Sequence, residues 1–218
     1  DGIVYTHKGT MDIQVTSKGK SSHSSMPELG FNAINPLVDF IHYLNKEYNK
    51  VDASSELLGT PTMNSTIING GDQVNSIPEY AESLFNMRTI PQFDNKKFEE
   101  LFKSIKEKIE KESNGDITVN PYVNRDPVYT TGDNSFLKLA KSLGDEYFNR
   151  NLEVTSSTAT TDASYLMKDK DEDFSFVMYG PGETGQAHQV DEYVYKDVYL
   201  TFIDLYIQLL TEHLNQSK

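Results

Sequence analysis

The sequence contains no cysteine among its 218 residues. Disulfide bonds and thiolate metal sites are therefore excluded, and any bound metal must be held by histidine and carboxylate side chains. A chain without cysteine is typical of a reducing compartment, so we expect a cytoplasmic location.

Long apolar runs and an excess of basic residues are also missing. No segment approaches the roughly 20 apolar residues that a helix needs to cross a bilayer, and the opening DGIVYTHKGT does not resemble a signal peptide. The chain has 33 acidic and 20 basic residues, a net charge of −13. Such a surface repels nucleic acid and anionic membranes, so we expect neither as a partner. Because an initiator methionine is lacking, we expect the chain to begin inside a longer protein.

Several catalytic motifs are absent as well. The sequence has no His-x-Asp, no His-Glu-x-x-His, no Gly-x-Ser-x-Gly and no phosphate-binding P-loop. Its one Glu-Glu pair, Glu99-Glu100, lies in a lysine-rich amphipathic segment and is expected to be a solvated helix face. The chain therefore carries no self-contained site of these kinds.

What is present is a clear alternation of strand and helix patterns over residues 11–123. Apolar residues recur at every second position near 11–15, 80–89 and 117–123, which predicts half-buried strands, and Thr66-Ile67-Ile68 predicts a further short strand. Helical spacing of apolar residues predicts helices over 32–48 and 95–112. The resulting order, β-α-β-β-α-β, is that of a ferredoxin-like sheet with both helices on one face.

After Pro127 the pattern changes. We expect a helix at about 134–149, a Ser/Thr-rich loop, a strand from Phe174 to Tyr179, a glycine-rich loop and a terminal helix. Roughly 90 residues with two strands bury too little surface for an independent core. This part is therefore interpreted as a piece of a larger α/β domain.

His188 follows this glycine-rich loop, with Asp191 and Glu192 close behind. Loops at strand ends often carry sites in open α/β sheets, so His188 is either a metal ligand or a plain loop residue. The loop also matches Gly-x-Gly-x-x-Gly over Gly180–Gly185, but that dinucleotide pattern requires a following helix, and no helical pattern follows. His42 and His213 lie in amphipathic helices and are interpreted as surface or core residues.

Four other positions have both a functional and a structural interpretation. His23 lies in a small polar loop, where it is either a hydrogen-bond donor toward negative charge or simply solvated. Asn75 could simply form a turn. Arg88 ends an apolar strand and needs a carboxylate partner, from the protein or from a ligand. Thr161-Asp162 could cap a helix or bind an anion at its N-terminus.

Four stretches occur in an order and spacing that resemble the M20 family of two-metal amidohydrolases. They are KGKSSHSSMPELGFNAI, IINGGDQVNSIPEYAESLFNMR, TTDASYL and YGPGETGQAHQVDEY. The resemblance is nearest to desuccinylases that release succinate from N-succinyl-LL-2,6-diaminopimelate in lysine biosynthesis. It also leaves open another M20 activity, such as acetylornithine deacetylase or dipeptidase, or a dimerisation module without catalysis.

The resemblance implies an α/β fold with an α+β lid. Residues 8–126 would be the ferredoxin-like lid and dimerisation domain, and residues 127–218 the C-terminal part of an α/β catalytic metal-binding domain. Two Zn²⁺ ions per site are implied, with Co²⁺ or Mn²⁺ as alternatives, and most of their ligands would lie upstream. The implied partners are a small N-acyl amino acid substrate and a second copy of the chain, joined through the lid.

The resemblance also implies roles for single residues. His23 would reach the partner subunit's site and stabilise the oxyanion, and His188 would be a metal ligand. The implied substrate contacts are Asn75, Arg88, Thr160, Gly182 and Thr184. Ala159-Thr160 stands where many desuccinylases have Gly-Thr, so the substrate pocket is expected to differ there.

Overall fold

The computed structural model describes residues 2–113, 115–171 and 174–216. The strands are β1 (Ile3–His7), β2 (Gly9–Lys18), β3 (Ser22–His23), β4 (Thr62–Gly70), β5 (Ser76–Ile77), β6 (Tyr80–Thr89), β7 (Asp116–Arg125) and β8 (Val154–Ser157). The helices are α1 (Ile34–Tyr48), α2 (Asn95–Ser113), α3 (Ser135–Phe148), α4 (Ala163–Leu166) and α5 (Lys196–Gln216). In the described ranges no helix is both long enough and apolar enough to span a membrane.

The chain divides into two compact units. The central unit comprises Lys8–Pro127 together with Ala159–Tyr165, and the terminal unit comprises Asp1–His7, Val128–Thr158 and Leu166–Lys218. The segment Ala159–Tyr165 thus belongs to the central unit although it follows that unit by some thirty residues. The sequence pattern did not predict that this segment returns to the central unit.

A four-stranded sheet in the order β4-β6-β2-β7 forms the central unit, and all its pairings are antiparallel. Its strands and the two long helices follow one another as β-α-β-β-α-β, which confirms the predicted ferredoxin-like arrangement. The short strands β3 and β5 form a separate two-stranded ribbon within the same unit.

The core of this unit lies between one face of the sheet and both helices. Met11, Ile13 and Phe85 point inward from the strands, because successive strand residues face opposite sides. Phe102 of α2 packs edge-on against Phe85, with ring centroids 5.2 Å apart, and lies against Phe40 of α1 at 5.9 Å. One apolar cluster therefore holds both helices on the same face of the sheet, as the spacing predicts.

The terminal unit has a smaller core. β1 and β8 pair in parallel, and α3 and α5 contribute Leu137, Leu143 and Leu205 to the buried cluster around Ile3. The sequence pattern did not indicate β1. The predicted strand from Phe174 to Tyr179 is wrong: in this range only Met178 bridges to β1, through Val4. A strand needs a continuous ladder of partners, and this segment has one bridge.

Candidate active site

The β3–β5 ribbon brings His23 and Asn75 together. His23 pairs with Ser76 across the ribbon, and the Ser24 N–H donates to the Asn75 carbonyl oxygen at 2.9 Å. Asn75 lies in a turn that the Ser76 N–H closes onto the Gln73 carbonyl at 3.3 Å. Both side chains are exposed. Two polar groups from distant parts of the sequence are thus available at one edge of the central unit.

The His23 imidazole is held by its own loop. Its Nδ1 lies 2.8 Å from the Ser25 hydroxyl and accepts the Ser25 main-chain N–H at 3.2 Å. The Met26 N–H closes the turn onto the His23 carbonyl at 2.9 Å. Because these ring contacts use Nδ1, the Nε2 atom remains available to a ligand.

Arg88 and Thr160 meet on the outer face of the sheet. Arg88 is half-buried on β6, on the side away from the helices, and its Nη1 donates to the Thr160 hydroxyl at 3.4 Å. The same hydroxyl donates to the Lys8 carbonyl oxygen at 2.9 Å. The structure therefore brings together two of the residues that the resemblance assigned to substrate contacts, from positions 72 residues apart in the chain.

Lys8 lies beside Arg88, although no motif or periodicity in the sequence marks it. The residue is 6% exposed, and its Nζ donates to the Thr60 carbonyl oxygen at 2.5 Å. Burial lowers the pKa of Lys8, and the neighbouring positive charge of Arg88 lowers that pKa further. The two cations are thus close enough for their charges to repel each other. A single lysine before a strand gives no sequence signal of this pairing.

The segment around Thr161 is secured by a second arginine. Arg125 lies 3.9 Å from the Asp162 carboxylate and donates through Nε to the Tyr165 hydroxyl at 3.3 Å. The Thr161 hydroxyl accepts the Ala163 N–H at 3.2 Å, so Thr161 caps α4. This supports the cap interpretation of Thr161-Asp162.

His188 lies in an exposed loop of the terminal unit. Its backbone is left-handed, with a φ of 65°, and its N–H donates to the Glu192 carboxylate at 3.2 Å. Gly182 is exposed earlier in the same loop, whereas the side chain of Thr184 lies outside the described part of the structure. In this loop, the 3₁₀ helix of three residues that begins at Thr184 does not provide the helix that a dinucleotide site requires.

The metal-binding potential of the described residues is limited to isolated ligands. Among residues 2–113, 115–171 and 174–216, no three histidine or carboxylate side chains lie close enough together to hold a metal ion. A zinc site needs at least three protein ligands. His188 has suitable donor chemistry for one of them.

Comparison with known proteins decides the family. Residues 5–114 match the peptidase dimerisation domain of the M20 family. The chain belongs to the M20 peptidase family. A probable succinyl-diaminopimelate desuccinylase from Staphylococcus epidermidis is 34% identical to this M20 chain over an alignment of 236 positions. The alignment covers 97% of this chain and 58% of that protein. The chain thus spans less than two thirds of the length of the curated relatives it matches.

Solved M20-type structures share the fold. An M20 metallo-carboxypeptidase from Sulfolobus solfataricus aligns with a TM-score of 0.71 at 20% identity, covering 96% of this chain and 59% of that one. An aminopeptidase from Bacillus cereus aligns with a TM-score of 0.70 at 20% identity, covering 95% and 52%. At this identity the likeness establishes the architecture alone.

Proposed function

We propose that this M20 chain is part of a metal-dependent amidohydrolase that cleaves an N-acyl amide, with N-succinyl-LL-2,6-diaminopimelate as its substrate. The observation that carries the proposal is the contact between Arg88 and Thr160 beside Lys8. Within the described residues Arg88 forms no ion pair, so its charge is available to a ligand carboxylate. A succinylated diamino acid carries several carboxylates, and the desuccinylase relative supports this choice.

We assign Arg88 and Thr160 to the binding of a substrate carboxylate. A guanidinium offers planar paired donors that match a carboxylate. The Thr160 hydroxyl, whose proton goes to the Lys8 carbonyl, accepts from Arg88 and so holds the guanidinium in position for that ligand. Asn75, beside His23 on the ribbon, is assigned to a second polar contact with the substrate. In the loop before His188, Gly182 and Thr184 are assigned to the same task.

We propose that His188 is one protein ligand of a two-zinc centre, with Co²⁺ or Mn²⁺ as alternatives. The exposed imidazole fits a zinc ligand, and the remaining ligands would come from a segment upstream of this chain. When bound, the metal pair would supply a nucleophilic water of lowered pKa. Within this chain, Glu192 holds the main chain of His188 and so restrains the loop that carries the imidazole.

We further propose that His23 stabilises the oxyanion of the tetrahedral intermediate. A donor placed where negative charge develops commonly contributes about 10²–10³ in turnover. His23 has an exposed ring with Nδ1 engaged by Ser25, which leaves the other nitrogen to the substrate. The side chain would act across a dimer, in the site of the other subunit.

The proposed dimer would form through residues 8–126, with residues 127–218 completing the catalytic domain. The match to a dimerisation domain supports this role. So does the edge strand β4, on which Ile67 and Ile68 are 49% and 58% exposed. An edge strand with exposed apolar side chains is a suitable surface for pairing with a second copy.

The proposal is tested by assaying the complete metal-loaded protein on three substrate classes. We expect N-succinyl-LL-2,6-diaminopimelate to be hydrolysed with a higher kcat/KM than N-acetylornithine or dipeptides. A higher kcat/KM for acetylornithine or a dipeptide would assign the protein to another M20 activity. A stable dimer that hydrolyses none of them would indicate a binding or dimerisation module instead.

A further inference from the structure

The loop that carries His23 folds back on the imidazole. The Met26 N–H closes a tight turn onto the His23 carbonyl oxygen at 2.9 Å. Ser25 is the third residue of this turn, and its main-chain N–H points at His23 Nδ1 from 3.2 Å. Its hydroxyl lies 2.8 Å from the same nitrogen. Ser25 therefore contacts one ring atom through two polar groups.

These contacts determine which ring nitrogen carries the proton. A main-chain N–H can only donate, so Nδ1 of His23 has to present its lone pair to Ser25. A neutral imidazole has one N–H, which must then be on Nε2. With Nδ1 as an acceptor, the Ser25 hydroxyl also acts as a donor to it. The opposite tautomer would place an N–H against the main-chain N–H of Ser25.

We propose that Ser25 is a positioning residue that fixes His23 in the Nε2–H tautomer. This inference rests on the proposed function of His23 as an oxyanion donor. An oxyanion is stabilised by an N–H and repelled by a lone pair, so a ring in the other tautomer would present the wrong atom. Ser25 thereby keeps the donor directed outward before any substrate binds.

The neighbouring serine provides a matched control. Ser24 is exposed like Ser25, but it contributes its main-chain N–H to the Asn75 carbonyl at 2.9 Å. A Ser24→Ala variant therefore changes the loop's composition in the same way without removing a donor to His23. Ser25→Thr retains the hydroxyl and serves as the conservative variant.

The direct test is nitrogen NMR of the chain with ¹⁵N-labelled histidine, at a pH where the imidazoles are neutral. We expect His23 to show an unprotonated Nδ1 and a protonated Nε2, whereas exposed His42 on α1 averages over both tautomers. Ser25→Ala removes the hydroxyl contact and keeps the main-chain donor, so it should lower the ratio of the Nε2–H to the Nδ1–H tautomer of His23 by about 2- to 10-fold, the usual worth of one hydrogen bond. Ser24→Ala and Ser25→Thr should leave it unchanged.

Two results would overturn the assignment. One is a wild-type His23 that populates both tautomers as His42 does, or that favours Nδ1–H. The other is a tautomer ratio in Ser25→Ala equal to that of the wild type. The first result would reject the fixed tautomer, and the second would show that the Ser25 side chain does not position His23.

Kinetics of the complete protein separate this inference from the proposed function. Ser25→Ala should lower kcat with little change in KM, whereas Ser25→Thr should have a kcat close to that of the wild type. Unchanged kcat in His23→Ala would reject the proposed role of His23, whatever the tautomer. If His23→Ala abolishes turnover while Ser25→Ala changes neither tautomer nor kcat, the positioning role fails and the proposed function stands.

Discussion

Arg88 on β6 donates a 3.4 Å hydrogen bond to Thr160, a residue 72 positions later in the chain. The contact exists because Ala159–Tyr165 belongs to the same compact unit as the sheet. It places a guanidinium beside a hydroxyl whose own proton is committed to the Lys8 carbonyl.

Replacing Arg88 with alanine in the complete protein should raise KM by about 10- to 100-fold with a small change in kcat. Loss of a charged hydrogen bond that acts equally in the ground and transition states has this kinetic effect. Arg125→Ala is the comparison variant, because Arg88 and Arg125 flank Thr10 on adjacent strands and Arg125 already faces Asp162; it should raise KM less than Arg88→Ala does. A lowered melting temperature with unchanged KM would make Arg88 structural.

Mixing two inactive variants should test whether His23 acts across a dimer. His23→Ala and His188→Ala should each abolish turnover in the complete protein, and His23→Ala should retain its metal. Random heterodimers would contain one site with both histidines, so up to about a quarter of wild-type activity should return if the two sites act independently. The measurement is turnover after proven subunit exchange, and no recovery would place the action of His23 within its own subunit.

Zinc binding to this 218-residue chain should be weak. His188 alone supplies too few ligands, because a zinc site needs at least three. Competition with a chelating dye should therefore give similar affinities for the chain and for its His188→Ala variant. Stoichiometric binding at sub-micromolar affinity would show that further ligands lie within the chain.

Phe102 should be a dominant contributor to the stability of the central unit. Its ring is fully buried between Phe85 and Phe40. Phe102→Ala should lower the free energy of unfolding by about 3–5 kcal/mol, the usual cost of such a cavity. Urea unfolding followed by circular dichroism measures this, with exposed Lys103→Ala as the control. A loss below about 1 kcal/mol would mean that the core collapses around the cavity.

Asp145 should make the terminal unit sensitive to acid. The hydrogen bond from Lys141 and that from the Leu152 N–H lower the pKa of Asp145 from its ordinary value of 3.8. The stabilisation is therefore present above the unfolded-state pKa and is lost as pH falls through the lower folded-state pKa. Asp145→Asn should have a lower melting temperature than the wild type at neutral pH, and this difference in melting temperature should shrink as pH falls below 3.8.

Exposed Asp204 of α5 is the control for that experiment, since Asp204→Asn should change the melting temperature little. A difference between Asp145→Asn and wild type that stays constant with pH would contradict the prediction. It would mean that the side-chain volume, rather than the charge of Asp145, supports the connection between α3 and β8.

The sequence alone determined the β-α-β-β-α-β order of the central unit and the extents of its long helices. The helix predicted over 95–112 is α2, Asn95–Ser113, and the strand predicted over 80–89 is β6. These elements were predictable because hydrophobic periodicity is local, and each helix or strand has one face on a common core. The polar loop that contains His23 and the four motif stretches were likewise predictable, because each is a short continuous segment of the sequence.

The tertiary structure alone decided the pairings between distant segments. The short segment Ala159–Tyr165 returns to the central unit and so brings Thr160 to Arg88 and Lys8. Hydrophobic periodicity does not predict this return. β1 is a strand because β8 pairs with it, while Phe174–Tyr179 lacks such a ladder and is not. The contacts of Ser25 with His23 likewise depend on a turn geometry that short polar sequences do not specify. Local patterns determine elements, but a site requires side chains whose proximity arises only when those elements pack.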